Sequence, residues 1–301
     1  MDKPRIGFIG VGLMGHGIAK NLVTKGFPLT VRAHRNRAPV DDLVAKGAKE
    51  AKTTADVTRA SDIVFLCVTG APQVEENVFG ADGIASAARS GLIVVDTSTS
   101  EPATTTKTRE ALAKHGVKFV DAPLARTPVE AEQGRLNIMV GADEATFAEL
   151  KPVLGAFCEN IFHAGPAGHG IVLKLINNFV AQAMCTAIAE ACAAAAKSGL
   201  SIKKLHEVIS AGAVNSGLFQ MLVGKMLESG DLSGLKFTLV NAAKDLRYYT
   251  HFVESMMIPS TVGEAVHQSL VTANALGFGD KYVPSLLEAQ EKLASVRIVP
   301  R

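Results

Sequence analysis

The residues that most constrain this chain lie near its start. A short β-branched run, Ile6–Ile9, passes directly into Gly10-Val-Gly12-Leu-Met-Gly15, and a helical pattern over residues 14–25 follows. In a GxGxxG that joins a first strand to a helix, the first glycine permits the tight turn. The second lets backbone approach a pyrophosphate, and the third lets helix and strand pack closely. The helix N-terminus then faces the anion. Gly10, Gly12, Leu13, Met14 and Gly15 are therefore candidate dinucleotide-binding residues, and the chain is committed to strand–helix–strand units.

The rest of the first half fits that commitment. Strand-like runs recur at 29–33, 63–68, 92–96, 118–120 and 136–140, and helical periods at 40–46, 104–115 and 143–157 separate most of them. Such alternation predicts a parallel sheet with helices on both faces. After a short run at 160–163, Gly165-Pro-Ala-Gly168-His-Gly170 is the strongest cluster of structure breakers. Beyond it the patterns are helical: 171–198, 202–211, 219–227, 240–254, 260–276 and 282–294. The predicted class is α/β, with a Rossmann-type doubly wound sheet over residues 1–165 and an all-α domain over 166–301. A length of 301 residues agrees with two domains of about 150 residues each.

Composition narrows the functions. Hydrophobic residues at 48% and charged residues at 20% exclude disorder and coiled coil. A net charge of +2 excludes a strong field for nucleic acid, while leaving small anions as ligands. No uninterrupted apolar run reaches the ~18 residues of a membrane span, and the first strand starts too early to leave room for a signal peptide. The expectation is a cytoplasmic protein without a membrane partner. The four cysteines form no CxxC pair and the eight histidines are scattered. Buried reduced thiols and no metal site are expected.

The second strand sharpens the choice of dinucleotide. A carboxylate at its end would hold the ribose hydroxyls of NAD. Here Val31-Arg-Ala-His-Arg-Asn-Arg37 has no acid and three arginines. Guanidinium pairs with a 2′-phosphate, which a carboxylate would repel. NADP is expected in preference to NAD, with Arg35 as the first candidate for the phosphate and Arg37 as the alternative.

Further motifs carry a resemblance over nearly the whole chain. They are Asp96-Thr-Ser-Thr99 with Pro102, Asp121-Ala-Pro123, Gly134, Met139-Val-Gly141, Gly168-His-Gly170 with Lys174-Leu-Ile-Asn-Asn178, and Lys244-Asp-Leu246. Together with the glycine loop they resemble the β-hydroxyacid dehydrogenase family. The resemblance implies an NAD(P)-dependent oxidoreductase that interconverts a short 3-oxo compound and its 3-hydroxy acid. It also implies a site closed by the helical domain and a homodimer or homotetramer. Lys174 corresponds to the family's catalytic lysine and Asn178 to its partner; at i and i+4 they share a helix face. The turn around Lys174 is otherwise apolar, which disfavours a charged ammonium and eases proton transfer. Hydride addition to a carbonyl creates an alkoxide, which such an ammonium can stabilise and protonate. Ser98 and Thr99 are implied near the nicotinamide, Thr99 at the carboxyl edge of the sheet, and Lys244 is implied to reach towards cofactor and substrate.

One loop departs from the family pattern. Where Ser-Gly-Gly is usual after the Asp-x-Pro element, this chain has Ala125, Arg126 and Thr127. That loop resembles the Gly-Arg-Thr/Ser loop of the sulfolactaldehyde reductase branch. A sulfonate has three acceptor oxygens and stays ionised, which suits a guanidinium beside a hydroxyl. The leading expected reaction is reduction of sulfolactaldehyde to dihydroxypropanesulfonate, with Ser98, Arg126, Thr127, Lys174 and Asn178 on the substrate. The alternative is a carboxylate semialdehyde (succinic, tartronate or methylmalonate) or a 3-hydroxyisobutyrate-type dehydrogenase. A non-catalytic dinucleotide binder is the competing class, and the intact Lys174 argues against it.

Overall fold

The computed structural model describes residues 3–300. The chain divides into two compact units, Met1–Lys174 and Leu175–Arg301. In the first, β1 (Ile6–Ile9), β2 (Leu29–Val31), β3 (Lys49–Glu50), β4 (Ile63–Leu66), β5 (Ile93–Asp96) and β6 (Lys118–Asp121) run parallel, in the order β3-β2-β1-β4-β5-β6. The short β7 (Leu124–Ala125) follows β6, and both pair antiparallel with β8 (Leu136–Gly141). β9 (Cys158–Gly165) lies parallel to β8. The connecting helices are α1 (Leu13–Thr24), α2 (Ala38–Ala45), α3 (Thr54–Arg59), α4 (Ala71–Phe79), α5 (Pro102–Ala113), α6 (Pro128–Gln133) and α7 (Glu144–Leu154).

The strands read as continuous apolar runs because both faces of the sheet are covered. Ile6, Phe8, Ile63, Phe65, Ile93 and Val95 join one core with Ile18 and Leu22 of α1. Their alternating neighbours Ile9, Val64, Leu66 and Val94 join the opposite core with Val74 and Val78 of α4 and Leu112 of α5. The two-residue strand period thus feeds two separate cores.

α8 (His169–Lys197) starts in the first unit and continues into the second. The division therefore falls inside a helix, past the expected boundary at residue 165. The reason is that Asp121 of β6 holds the backbone of Gly168 and Ile171. The second unit adds α9 (Ile202–Ser210), α10 (Gly217–Phe219), α11 (Lys225–Ser229), α12 (Leu239–Ser255), α13 (Thr261–Ala273) and α14 (Leu286–Ala294). Cys185, Ala189 and Cys192 of α8 pack with Phe219, Leu246, Leu270 and Leu287 in its core. Two expected helices are interrupted. A π turn at Gln220–Gly224 separates α10 from α11, and α13 stops at Ala273 before Gly277, whose φ is +92°.

α8 has 29 residues and a most apolar stretch of mean hydropathy 1.5, so by length and composition it could cross a bilayer. That differs from the expectation drawn from uninterrupted runs, because alanine and isolated polar residues are averaged together. Part of it, Cys185, Ala189, Cys192, Ala193 and Ala195, lies in the helical core, while Leu173, Ile176 and Val180 are exposed. All four cysteines are unpaired. Burial pushes the thiols of Cys67 and Cys192 up to about 11 and that of Cys185 up to about 12, and it raises Cys158 as well. Among the described residues, no group of three or more His, Cys, Asp or Glu side chains is placed to hold a metal ion.

Candidate active site

The glycine loop leaves the carboxyl end of β1. Gly10 has φ +99°, and a Cβ there would run into the carbonyl oxygen of Cys67. Gly12 is the N-cap of α1 without any side-chain cap, and a Cβ on it would meet no protein atom within 4 Å. Leu13 beside it is 77% exposed, whereas Met14 packs partly against the sheet core. Gly15 sits so close to the turn that a Cβ would strike the carbonyl of Gly10. The front of α1 thus combines uncapped N–H groups, open space at Gly12 and an apolar side chain without protein cover. A dinucleotide pyrophosphate fits that setting, and Gly10, Gly12, Leu13, Met14 and Gly15 would hold it.

The arginines after β2 have different environments. Arg32 donates to the Thr54 hydroxyl at 2.6 Å. Arg37 forks onto Glu50 of β3 at 3.0 Å and onto Asp41 of α2 at 3.0 Å, and these carboxylates raise its pKa. Arg35 is exposed and forms no hydrogen bond or ion pair among the described residues. Of the two candidates for a 2′-phosphate, Arg37 is occupied and Arg35 is available.

At the carboxyl ends of β4 and β5 the expected substrate residue Ser98 has a structural task. Its buried hydroxyl accepts the Val68 N–H at 2.9 Å, and its own N–H donates to Asp96 at 2.9 Å. Thr97 donates to the Leu66 carbonyl at 2.6 Å. Thr99 follows, half-buried. Because β1, β4 and β5 are parallel neighbours, the glycine loop and Thr99 share the carboxyl edge of the sheet, where doubly wound folds bind ligands.

Asp121 was legible only as part of a motif, and its work is at the start of α8. Its buried carboxylate accepts the Gly168 N–H at 2.6 Å and the Ile171 N–H at 2.8 Å. A Cβ on Gly170 would lie 2.5 Å from the Met139 carbonyl oxygen and 2.6 Å from that of Asp121. The first turn of α8 is therefore clamped to β6 and β8. Lys174 comes three residues after Ile171 on the same helix, half-buried.

Burial raises the Asp121 carboxyl to about 6, against the opposing pull of its N–H donors. A carboxyl raised above its unfolded value contributes stability that is complete below about pH 4 and is lost as pH rises through about 6. Relative to Asp121→Asn, which does not ionise there, the native protein should lose roughly 3 kcal/mol between those limits. Urea midpoints of both proteins at about pH 4, 5.5 and 7 check this, and a gap that does not change with pH would refute it.

In the second unit, the carboxamide nitrogen of buried Asn178 donates to Asp245 at 2.6 Å. The Lys244 ammonium lies 2.8 Å from the other oxygen of Asp245 and 4.9 Å from the Tyr248 ring centroid. Asp245 thus joins two predicted site residues, Asn178 and Lys244. Lys174 and Asn178 stand four residues apart on continuous α8, as the spacing predicts.

The departing loop is occupied by its own unit. Arg126 has φ +81°, donates to the Arg135 carbonyl at 2.5 Å and pairs with Glu159, which Arg135 also approaches at 3.4 Å. The Thr127 hydroxyl caps α6, and the Glu130 carboxylate accepts the Thr127 N–H at 3.0 Å. Guanidinium and hydroxyl both have protein partners.

Comparison with known proteins matches residues 5–165 to the NAD binding domain of 6-phosphogluconate dehydrogenase. Residues 168–289 match the NAD-binding region of NADP-dependent 3-hydroxyisobutyrate dehydrogenase. The chain is 32% identical to 2-(hydroxymethyl)glutarate dehydrogenase of Eubacterium barkeri over 99% of both chains. It is 31% identical to 2-hydroxy-3-oxopropionate reductase of Escherichia coli, over 98% of this chain and 99% of that one. Among solved structures, it resembles 3-hydroxyisobutyrate dehydrogenase from Salmonella typhimurium with a TM-score of 0.81 and 26% identity, covering 94% of this chain and 99% of that chain.

Proposed function

The chain belongs to the β-hydroxyacid dehydrogenase family of NAD(P)-dependent oxidoreductases acting on CH–OH groups, and from that premise we propose that it reduces a short carboxylate semialdehyde with NADPH. The bound nicotinamide supplies hydride in reduction and accepts it in oxidation. Lys174 delivers a proton to the developing alkoxide and takes it back in the reverse direction. Asn178, oriented by Asp245, positions the substrate oxygen or the lysine, and Lys244 and Thr99 bind at the cofactor's reactive end. Arg35 receives the 2′-phosphate. The reading takes the enzyme to work in the cytoplasm as a homodimer or homotetramer. The exposed apolar residues Leu173, Ile176 and Val180 of α8 support self-association.

The pairing of Arg126 with Glu159 carries the choice of acid group. A guanidinium already neutralised by a carboxylate is a poor anchor for a permanently ionised sulfonate, since binding must first break that pair. Sulfolactaldehyde reduction therefore ranks second. It is favoured by one observation, the left-handed backbone of Arg126. A non-glycine residue held there costs ~1–3 kcal/mol and is kept most often at functional sites.

A panel of succinic, tartronate and methylmalonate semialdehydes and sulfolactaldehyde, each with NADPH and NADH, tests both choices. A carboxylate semialdehyde should exceed sulfolactaldehyde in kcat/KM by about tenfold or more, the effect of ~1.4 kcal/mol. NADPH should exceed NADH by a similar factor, and Arg35→Ala should erase most of that difference. A tenfold preference for sulfolactaldehyde would overturn the carboxylate reading, and a preference for NADH would overturn the role of Arg35.

A further inference from the structure

One residue past the glycine loop, His16 of α1 joins three helices of the first unit. Its Nδ1 lies 2.7 Å from Glu132 of α6 and its Nε2 lies 2.8 Å from Asp42 of α2, with the side chain 23% exposed. Each ring nitrogen thus stands within hydrogen-bond distance of a carboxylate on a different helix, so one side chain spans both. The other charged groups facing this cluster are Lys20 of α1, paired with Glu132, and Lys46 of α2, paired with Asp42.

The three helices leave three loops of the site. α1 follows the glycine loop, α2 follows the arginine loop after β2, and α6 follows Ala125–Arg126–Thr127. α1 and α6 are already tightly joined through backbone. A Cβ on Gly17 would lie 2.5 Å from the carbonyl carbon of Ala131, and Asn21 donates to the Ala131 carbonyl at 3.0 Å. The bond from His16 to Asp42 brings α2 into the same assembly.

We propose that His16 is a positioning residue that sets the arginine loop and the substrate-side loop against the pyrophosphate loop, and so governs dinucleotide affinity. The proposal rests on the dinucleotide reading of the first unit and is independent of the substrate's acid group. Without the ring, neither carboxylate is joined to α1 through residue 16, and α2 is less firmly held.

NADPH and NADH titrations of the intact protein, of His16→Ala and of His16→Arg, with steady-state kcat at saturating dinucleotide, test this. His16→Ala should bind both dinucleotides at least about fivefold more weakly than the native protein and keep its saturated turnover. His16→Arg, whose guanidinium offers donors to both carboxylates, should restore most of the affinity. A His16→Ala protein with native affinity overturns the proposal, as does a weakened one that His16→Arg does not rescue. If Arg35 does not read the 2′-phosphate, NADPH and NADH bind alike, yet the loss in His16→Ala persists in both.

Discussion

Lys174→Ala should lower turnover by ~10²-fold or more, the scale of a positioned acid–base group, while the protein still binds its dinucleotide. The expectation follows from where the lysine is built. It stands on α8 just after the turn that Asp121 clamps, and four residues before Asn178, which Asp245 fixes. Alanine removes the proton donor without disturbing either anchor, and it is the residue best suited to a helix interior. Steady-state kcat at saturating substrate, with a separate cofactor titration, checks the claim. Turnover near the native value would mean that the lysine serves structure alone.

Gly170→Ala should cost stability at the upper end of the overpacking range, ~3 kcal/mol, and should lower turnover with it. The new methyl would lie 2.5 and 2.6 Å from two backbone carbonyl oxygens and 2.9 Å from the Asp121 carboxylate. These are strand atoms of β6 and β8 and the group that caps α8, so none is the free end of a flexible chain. α8 has to lift, which weakens the Asp121 bonds and displaces Lys174 from its setting. Denaturant midpoints and kcat are the readouts. A variant within about 0.5 kcal/mol of the native protein, the range of a neutral surface change, would show that the contact has slack.

What was legible follows from burial. β1, β4 and β5 are covered on both faces, so their sequences are uninterrupted apolar runs of easily recognised type. β3 and β7 have two residues each, too few for any period to register. α3 and α6 have six residues each, and α3 buries Thr54 and Thr58 beside Ala55 and Val57, so no clear apolar period shows. Their capping boxes, Thr53 with Asp56 and Thr127 with Glu130, were a usable signal, since each places a hydroxyl three residues before an acid. The glycine loop and the Lys174–Asn178 spacing were visible because their chemistry is local. The choice between Arg35 and Arg37 was not, because it depends on Glu50 in a neighbouring strand. His16 lies 26 residues from one partner and 116 from the other, a separation that no motif scan bridges.

The four cysteines turn this molecule into its own reporter. Cys67 and Cys158 belong to the first unit, and Cys185 and Cys192 to the second. With their thiols raised by burial, little thiolate exists in the native state, and thiolate is the species that alkylating reagents capture. Labelling therefore has to wait for local opening. Mass-resolved alkylation of the unmodified chain accordingly records, site by site, whether the sheet unit or the helical unit opens first, without the introduction of any probe.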